Sequence, residues 1–363
     1  MRIKKITEAI SLHRRRGSWL ALAVSQALLY PSTAVMAEDS GKSRLVLEEV
    51  TVTARKREEG LQDAPIAISA FTGDDLAARQ LNDLSDIGSS APNLVFDSAA
   101  PISGSNVASS IFIRGIGQLD FTFTTDPGVG LYVDGVYIAR SVGGVLDLLD
   151  LERVEVLRGP QGTLFGRNTI GGAISLVSKK PADEFGGKVG FTIGDDNRRD
   201  FRGTVDVPLT ETLKSKFSVA TKRRDGYVKR LSDGKELGDD DSFSARASFL
   251  WTPTDELEVN LAIDGSKARE ETAPNTLINV NGTAMPFAGL FNNAIVGGSC
   301  APAPGSLSNP ACYNQQWVVG NDKTWATSES RSDYDVIGAG LMVEYDFGWG
   351  SIKSIMVYCE MEA

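Results

Sequence analysis

The stretch VEVLRGPQGTLFGRNTIGGAISLVSKKP, Val154 to Pro181, decides the fold. Val154 and Val156 alternate with Glu155, and Leu157 opens a turn. Gly159, Pro160 and Gly162 then punctuate the chain, and Gly166, Gly171 and Gly172 do so again before a second apolar run. A chain this rich in glycine can take positive φ and bring backbone against backbone, so the segment reads as a short strand, a tight passage and a returning strand. Two further glycine-marked runs precede it, IFIRGIG at Ile111 to Gly117 and VGLYVDGVYIAR at Val129 to Arg140. In the second, Asp134-Gly135 sits between LYV and VYI, a two-residue hairpin signal, because a type I′ turn needs positive φ at both central positions.

Together these three segments resemble the plug domain of the TonB-dependent outer-membrane receptors. The residues that carry the resemblance are Arg114, Gly115, Asp134, Gly135, Arg158, Gly159, Gly162, Arg167, Gly171 and Gly172. The resemblance implies an α+β plug domain followed by a transmembrane antiparallel β-barrel. It also implies energy-coupled uptake of a large, scarce nutrient, a ferric siderophore before cobalamin, haem or an oligosaccharide. The implied partners are TonB with its inner-membrane energising complex, the ligand, and outer-membrane lipid. No cofactor and no catalytic residue are implied.

Upstream, residues 1–37 carry Lys4, Lys5, Arg14, Arg15 and Arg16 ahead of an apolar run from Trp19 to Tyr30 and a Val35-Met36-Ala37 ending. That is the pattern of a secretory signal peptide cleaved after Ala37. The apolar run is short of the roughly 20 residues that a spanning helix requires. Residues 38–63 are polar except for LEEVTVTAR at Leu47 to Arg55, where Val50, Thr51, Val52 and Thr53 are β-formers in succession. Such an island is either an early strand of the next domain or a strand-donating peptide that docks on a partner's sheet edge. By resemblance Glu49-Val50-Thr51-Val52-Thr53-Ala54 is the TonB box.

Residues 64–181 alternate strands and short helices. Pro65 to Ala70 reads as a strand, Thr72 as the cap of a helix with Leu76, Leu81 and Leu84 inward, and Val145, Leu146, Leu148 and Leu149 as a second short helix. After Gly186 the period becomes two: Gly187–Gly194, Phe201–Val207, Leu213–Lys222, Phe243–Trp251, Leu257–Ile263, Tyr334–Asp346 and Gly350–Tyr358. Links alternate between short (Pro208–Thr212, Pro253–Glu256, Phe347–Trp349) and long (Arg223–Asp241, about Lys267–Ser332), as in an outer-membrane barrel with tight periplasmic turns and long outer loops. Residues 182–363 are therefore expected to form barrel. Seven strands are an odd number and fall well short of the family's about 22, so the chain is expected to hold the first third of a barrel, as a truncated product would.

Other functions are excluded on composition and spacing. The formal net charge is −10, against a nucleic-acid binder, and the only histidine, His13, lies in the segment to be removed, which rules out histidine-dependent hydrolysis. Neither Gly115-Ile116-Gly117 nor Gly159-Pro160-Gln161-Gly162 completes a nucleotide-binding fingerprint. A non-transporting barrel receptor or adhesin remains the alternative to a transporter. Arg114, Arg158 and Arg167, close to Glu152 and Glu155, read as interior charges paired with one another and with the barrel wall. Cys300 and Cys312 bracket APAPGSLSNPA, which in an exported protein reads as a small loop disulfide with two free thiols as the alternative; Cys359 is left over.

Overall fold

The computed structural model describes residues 50–53, 56–57, 59–81, 83–97, 109–119, 126–138, 150–280, 290–295, 312–313, 315–327 and 331–362. The expected signal peptide, the helix expected at Val145 to Leu149, and Glu49, Ala54 and Cys300 lie outside the described residues. The arm enters as a two-strand hairpin, β1 (Thr51–Val52) against β2 (Glu59–Gly60). Then come β3 (Ile68–Thr72), a helix α1 (Gly73–Ala78), β4 (Leu94–Asp97), β5 (Ser110–Ile113), β6 (Ile116–Gln118), β7 (Val129–Val133), β8 (Val136–Ile138), β9 (Leu151–Arg158), a one-turn helix α2 (Gly162–Phe165) and β10 (Gly172–Ser178).

These strands make a five-stranded sheet in the order β3-β9-β10-β7-β8 and a smaller one, β4-β5-β6. Only the β10–β7 pairing in the larger sheet is parallel. The first strand begins at Ile68, later than the Pro65 expected, and runs to Thr72, where the extended backbone serves at once as strand end and helix cap. Thr72 Oγ1 accepts the Asp75 N–H at 3.1 Å and the Asp75 carboxylate accepts the Thr72 N–H at 3.1 Å, a reciprocal capping box. The helix stops at Ala78, so Leu81 and Leu84 are not on it. Leu84 instead opens a 3₁₀ turn, Leu84–Ser89, and is fully buried with Ile87 against Ile113, Val154, Val156 and Ile174. Asp134 and Gly135 have φ of 50° and 82°, the expected type I′ turn, and Arg114-Gly115 makes the same kind of turn between β5 and β6 with φ of 54° and 78°.

Beyond the plug the chain forms β11 (Gly186–Ile193), β12 (Arg199–Pro208), β13 (Leu213–Arg224), β14 (Val228–Arg230), β15 (Glu236–Leu237), β16 (Asp240–Thr254), β17 (Leu257–Glu271), β18 (Lys323–Thr324), β19 (Arg331–Asp346) and β20 (Ser351–Glu362). Seven of these form one antiparallel sheet, β11-β12-β13-β16-β17-β19-β20, while β14, β15 and β18 form a separate small sheet within the long connections. The seven strands are those expected, but they run further into the long-loop side: β17 to Glu271 and β19 from Arg331, where Lys267 and Ser332 had been placed in a loop. There the ladder carries charge pairs, Arg224 with Asp240 at 3.0 Å and Arg269 with Asp335, so the apolar period ends while backbone pairing continues.

One face of this wall is apolar and open, with Phe191, Phe217, Phe243, Ile263 and Ile337 exposed. Trp251, Tyr345, Phe347 and Trp349 cluster at the short-turn end. The opposite face carries Lys216, Ser218, Ser244 and Ser248, all buried. Among the described residues no helix is long and apolar enough to cross a membrane.

Gly172 is fixed by its surroundings. Its φ is +153° and a Cβ would stand 2.2 Å from the Leu157 carbonyl oxygen, a backbone atom that cannot yield without breaking the β9–β10 register. Gly162, by contrast, has open space around it and an ordinary φ. Gly172→Ala is expected to destabilise the plug by ~2 kcal/mol or more, whereas Gly162→Ala is expected to be neutral or slightly stabilising. Midpoints of limited trypsin digestion on the two variants measure this, and equal midpoints would contradict it.

Candidate functional site

The site is built on β9, the strand between β3 and β10. Val154 and Val156 point into the main core, and the opposite face carries Glu155 and Leu157, both without exposed surface. A carboxylate in that position must find charge and donors. Arg153, two residues earlier and so on the same strand face, donates from Nε to Glu155 Oε1 at 2.8 Å and also reaches Glu152. The remaining donors come from the arm: the Thr53 N–H at 2.8 Å and the Thr53 hydroxyl at 3.2 Å, both to Glu155 Oε1. Arg153 Nη2 donates in turn to Thr53 Oγ1 at 3.2 Å. The β-forming island is thus seated on the plug, with Val52 fully buried and hairpin partners Thr51↔Gly60 and Val52↔Glu59.

Lys56 follows in the same arm, its ammonium 4.5 Å from the Phe165 ring centroid and 5.5 Å from that of Tyr132, a cation–π contact with two rings. Burial there pushes the ammonium below the ordinary lysine range, with the Glu155 carboxylate pulling the other way. Burial and then the neighbouring Tyr137 push the Tyr132 phenol up to about 12, so it stays protonated and donates to the Phe165 carbonyl at 2.6 Å. The arm therefore touches β9 through Thr53 and the glycine-rich passage through Lys56.

The plug meets the polar face of the wall through ion pairs. Asp134, in the β7–β8 turn, accepts Arg246 Nη2 at 2.5 Å and both the N–H and the hydroxyl of Ser178 at 2.8 Å. Lys216, buried on β13, lies 2.6 Å from Asp150 and 3.6 Å from Asp206, and Asp206 accepts the Ala182 N–H at 2.9 Å. Lys222 pairs with Asp83 and Lys180 with Glu258 at 2.6 Å, while Lys214 pairs with Asp183 just beyond the plug. Acid from the plug against base from β13 and β16 is the main pattern, with Lys180 and Glu258 reversed.

The arginines singled out from sequence do not hold Glu152 and Glu155. Arg114 sits in the exposed β5–β6 turn beside Gly159; Arg158 ends β9 with its buried Nε lacking a hydrogen-bond partner among the described residues; Arg167 is 85% exposed and only 3.9 Å from Asp126. Arg153 takes both acids, a consequence of the two-residue spacing to Glu155 that the alternation of Val154 and Val156 already contained. The wall lysines were likewise missed, although Lys214, Lys216 and Lys222 share one parity on β13. Gly159, Gly162 and Gly171 fall in the β9–β10 passage, and Gly172 opens β10. In the long connection Cys312 is buried and disulfide-bonded, with its carbonyl accepting Trp317 Nε1 at 2.8 Å, whereas Cys359 is free. No cluster of three or more potential metal ligands occurs among the described residues.

Comparison with known proteins agrees with this architecture. The family profile described as TonB-dependent Receptor Plug Domain matches residues 60–173. The iron-regulated outer membrane virulence protein of Vibrio cholerae is 27% identical over 267 residues, covering 69% of this chain and 38% of that protein. The ferrioxamine B receptor of Salmonella typhimurium is 29% identical over 196 residues, 52% of this chain and 26% of that one. In fold, the chain is similar to the ferric yersiniabactin uptake receptor FyuA of Yersinia pestis, with a TM-score of 0.63 at 17% identity over 82% of this chain and 41% of that structure. The chain thus spans well under half the length of these relatives. Residues 60–173 are thus a TonB-dependent receptor plug domain, seated by ion pairs on one face of an antiparallel wall whose other face is apolar, in a fold similar to that of the outer-membrane receptors.

Proposed function

We propose that the chain serves energy-coupled uptake of a large, scarce nutrient across the outer membrane, with a ferric siderophore as the favoured ligand. The observation that carries this reading is the two-faced wall with a plug held on its polar side, since a blocked, polar lumen needs work to open. The apolar face meets outer-membrane lipid, the arm faces the periplasm, and the long connections with Cys312 and Trp317 face outward. The siderophore assignment is supported by relatives whose names include a ferrioxamine B receptor and a ferric yersiniabactin receptor.

In this reading Glu49 to Ala54 is the TonB box. Its Thr51-Val52 centre is already strand in the hairpin, and strand addition to TonB would draw affinity from main-chain hydrogen bonds rather than from a prefolded surface. Force on this strand acts on the plug through β9, and no covalent chemistry is asked of the chain.

Val52→Pro removes one amide donor and the freedom to pair as a strand. In a full-length receptor it is expected to reduce energy-dependent uptake to the level of a TonB-deficient strain while ligand binding stays unchanged; intact uptake would overturn the box assignment. Cys300 and Cys312 are proposed as the bridged pair, closing a small outer loop. Alkylation of exported protein should label them only after reduction, and equal labelling without reductant would refute the bridge.

A further inference from the structure

We infer, on the reading that the plug shifts against the wall during uptake, that Asp264 is a second seat for Arg246: as the β7–β8 hairpin carries Asp134 away, the guanidinium passes to Asp264 on the neighbouring wall strand. The register prepares this exchange. Arg246 on β16 stands directly opposite Asp264 on β17, and side chains so placed share one face with Cβ atoms about 5 Å apart. An arginine and an aspartate in that position ordinarily pair, yet these two do not. Arg246 Nη2 reaches off the wall to Asp134 at 2.5 Å, and Asp264 has no ion pair among the described residues. Its carboxylate leans the other way, over β19, where its register partner is Gly338. A Cβ on Gly338 would stand 2.5 Å from Asp264 Oδ2, so the missing side chain is what gives the carboxylate its place.

Neither the acid nor the base is stranded by the exchange. Asp134 keeps two donors of the plug itself, the Ser178 N–H and hydroxyl, both at 2.8 Å. Arg246 has more to lose: its side chain is 18% exposed and its Nε is buried without a hydrogen-bond partner among the described residues, so a departing Asp134 leaves a largely desolvated charge behind. Asp134, Arg246, Asp264 and Gly338 line one cavity of about 250 Å³ between hairpin and wall, which gives Arg246 and Asp264 room to meet while the wall backbone stays paired. The same arrangement recurs on β13. Lys216 holds Asp150 of the plug at 2.6 Å and lies 3.6 Å from Asp206, its register partner on the wall. There the base is already within reach of both seats; at Arg246 only the plug seat is filled. Asp264 is therefore a positioning residue, acting through Arg246 by lowering the cost of lifting the hairpin.

The test uses the complete chain in detergent, carrying Cys359→Ser and Ser244→Cys as the parent. Ser244 lies buried on the inner face beside the cavity, so alkylation of a thiol placed there, in sub-denaturing urea, times the lifting of the hairpin. Asp264→Asn keeps the size and removes the charge; it is expected to slow alkylation by about tenfold, whereas loss of a merely structural residue would leave the rate alone or raise it. Gly338→Ala pushes the Asp264 carboxylate back toward Arg246 and is expected to speed alkylation by about tenfold, an effect that vanishes when Asp264→Asn is also present. In a crystal structure of Asp134→Asn, a substitution suited to the positive φ of that turn, Arg246 is expected to be hydrogen-bonded to Asp264. Arg246 turned to solvent in that structure would overturn the second seat, and so would an Asp264→Asn chain labelled as fast as a parent that does react. A parent that reacts only once the wall unfolds would count against the moving plug alone, and Arg246 on Asp264 in the Asp134→Asn structure would then still establish the exchange.

Discussion

Hydrocarbon offers no hydrogen-bond partner, so each N–H and C=O of the membrane wall must be paired by the neighbouring strand, and the rest of the architecture follows from that demand. Strands so paired leave only their side chains to distinguish inside from outside. Phe191, Phe217, Ile263 and Ile337 lie exposed on one face while Lys216, Ser218 and Ser248 are buried on the other. A polar inner face cannot grip a plug by apolar burial. It grips by charge, and Asp134, Asp150 and Asp83 meet Arg246, Lys216 and Lys222 across the interface. These contacts are local and can be exchanged for water one at a time, whereas a continuous apolar interface would separate only as a whole.

The plug is organised the other way, with an apolar interior on one face of the β9–β10 pair and a single buried carboxylate on the other. Leaving a buried charge without its partner typically costs about 3–5 kcal/mol. Arg153 and the arm together meet that cost at Glu155, which makes the N-terminal arm part of the plug's electrostatic balance rather than a tether attached to it. The glycine-rich passage between β9 and β10 is joined to the same arm through Lys56, Phe165 and Tyr132. A displacement of the arm is therefore felt at Glu155 on β9 and at Phe165 in the passage, two points of one supersecondary unit.

What was legible in the sequence followed from period and turn chemistry. Alternation identified all seven wall strands because one face is apolar, and Asp134-Gly135 identified its hairpin because few residue pairs accept positive φ twice. Wall strands were read too short toward the outer loops, where Arg269, Asp335 and their neighbours pair by charge and the apolar period that marks a strand disappears. The island at Val50 to Thr53 is legible either as an early strand of the next domain or as a docking peptide, but its hairpin with Glu59-Gly60 is not, because those two residues have no strand-forming character of their own. Arg153, unlike Arg114, Arg158 and Arg167, has no neighbouring glycine to mark it in the sequence. Its importance comes from lying on the same strand face as a carboxylate that no composition argument marks as buried.

The two kinds of contact also differ in how they can be undone. Lys180 and Glu258 are partly exposed, and such a pair contributes little net stability, so plug and wall can separate there at small cost. Glu155 has no such escape: its partners must be replaced, not hydrated, when they leave. Displacing the arm would therefore leave Glu155 short of two donors in a place without water, whereas a plug–wall pair such as Lys180 and Glu258 separates into solvent.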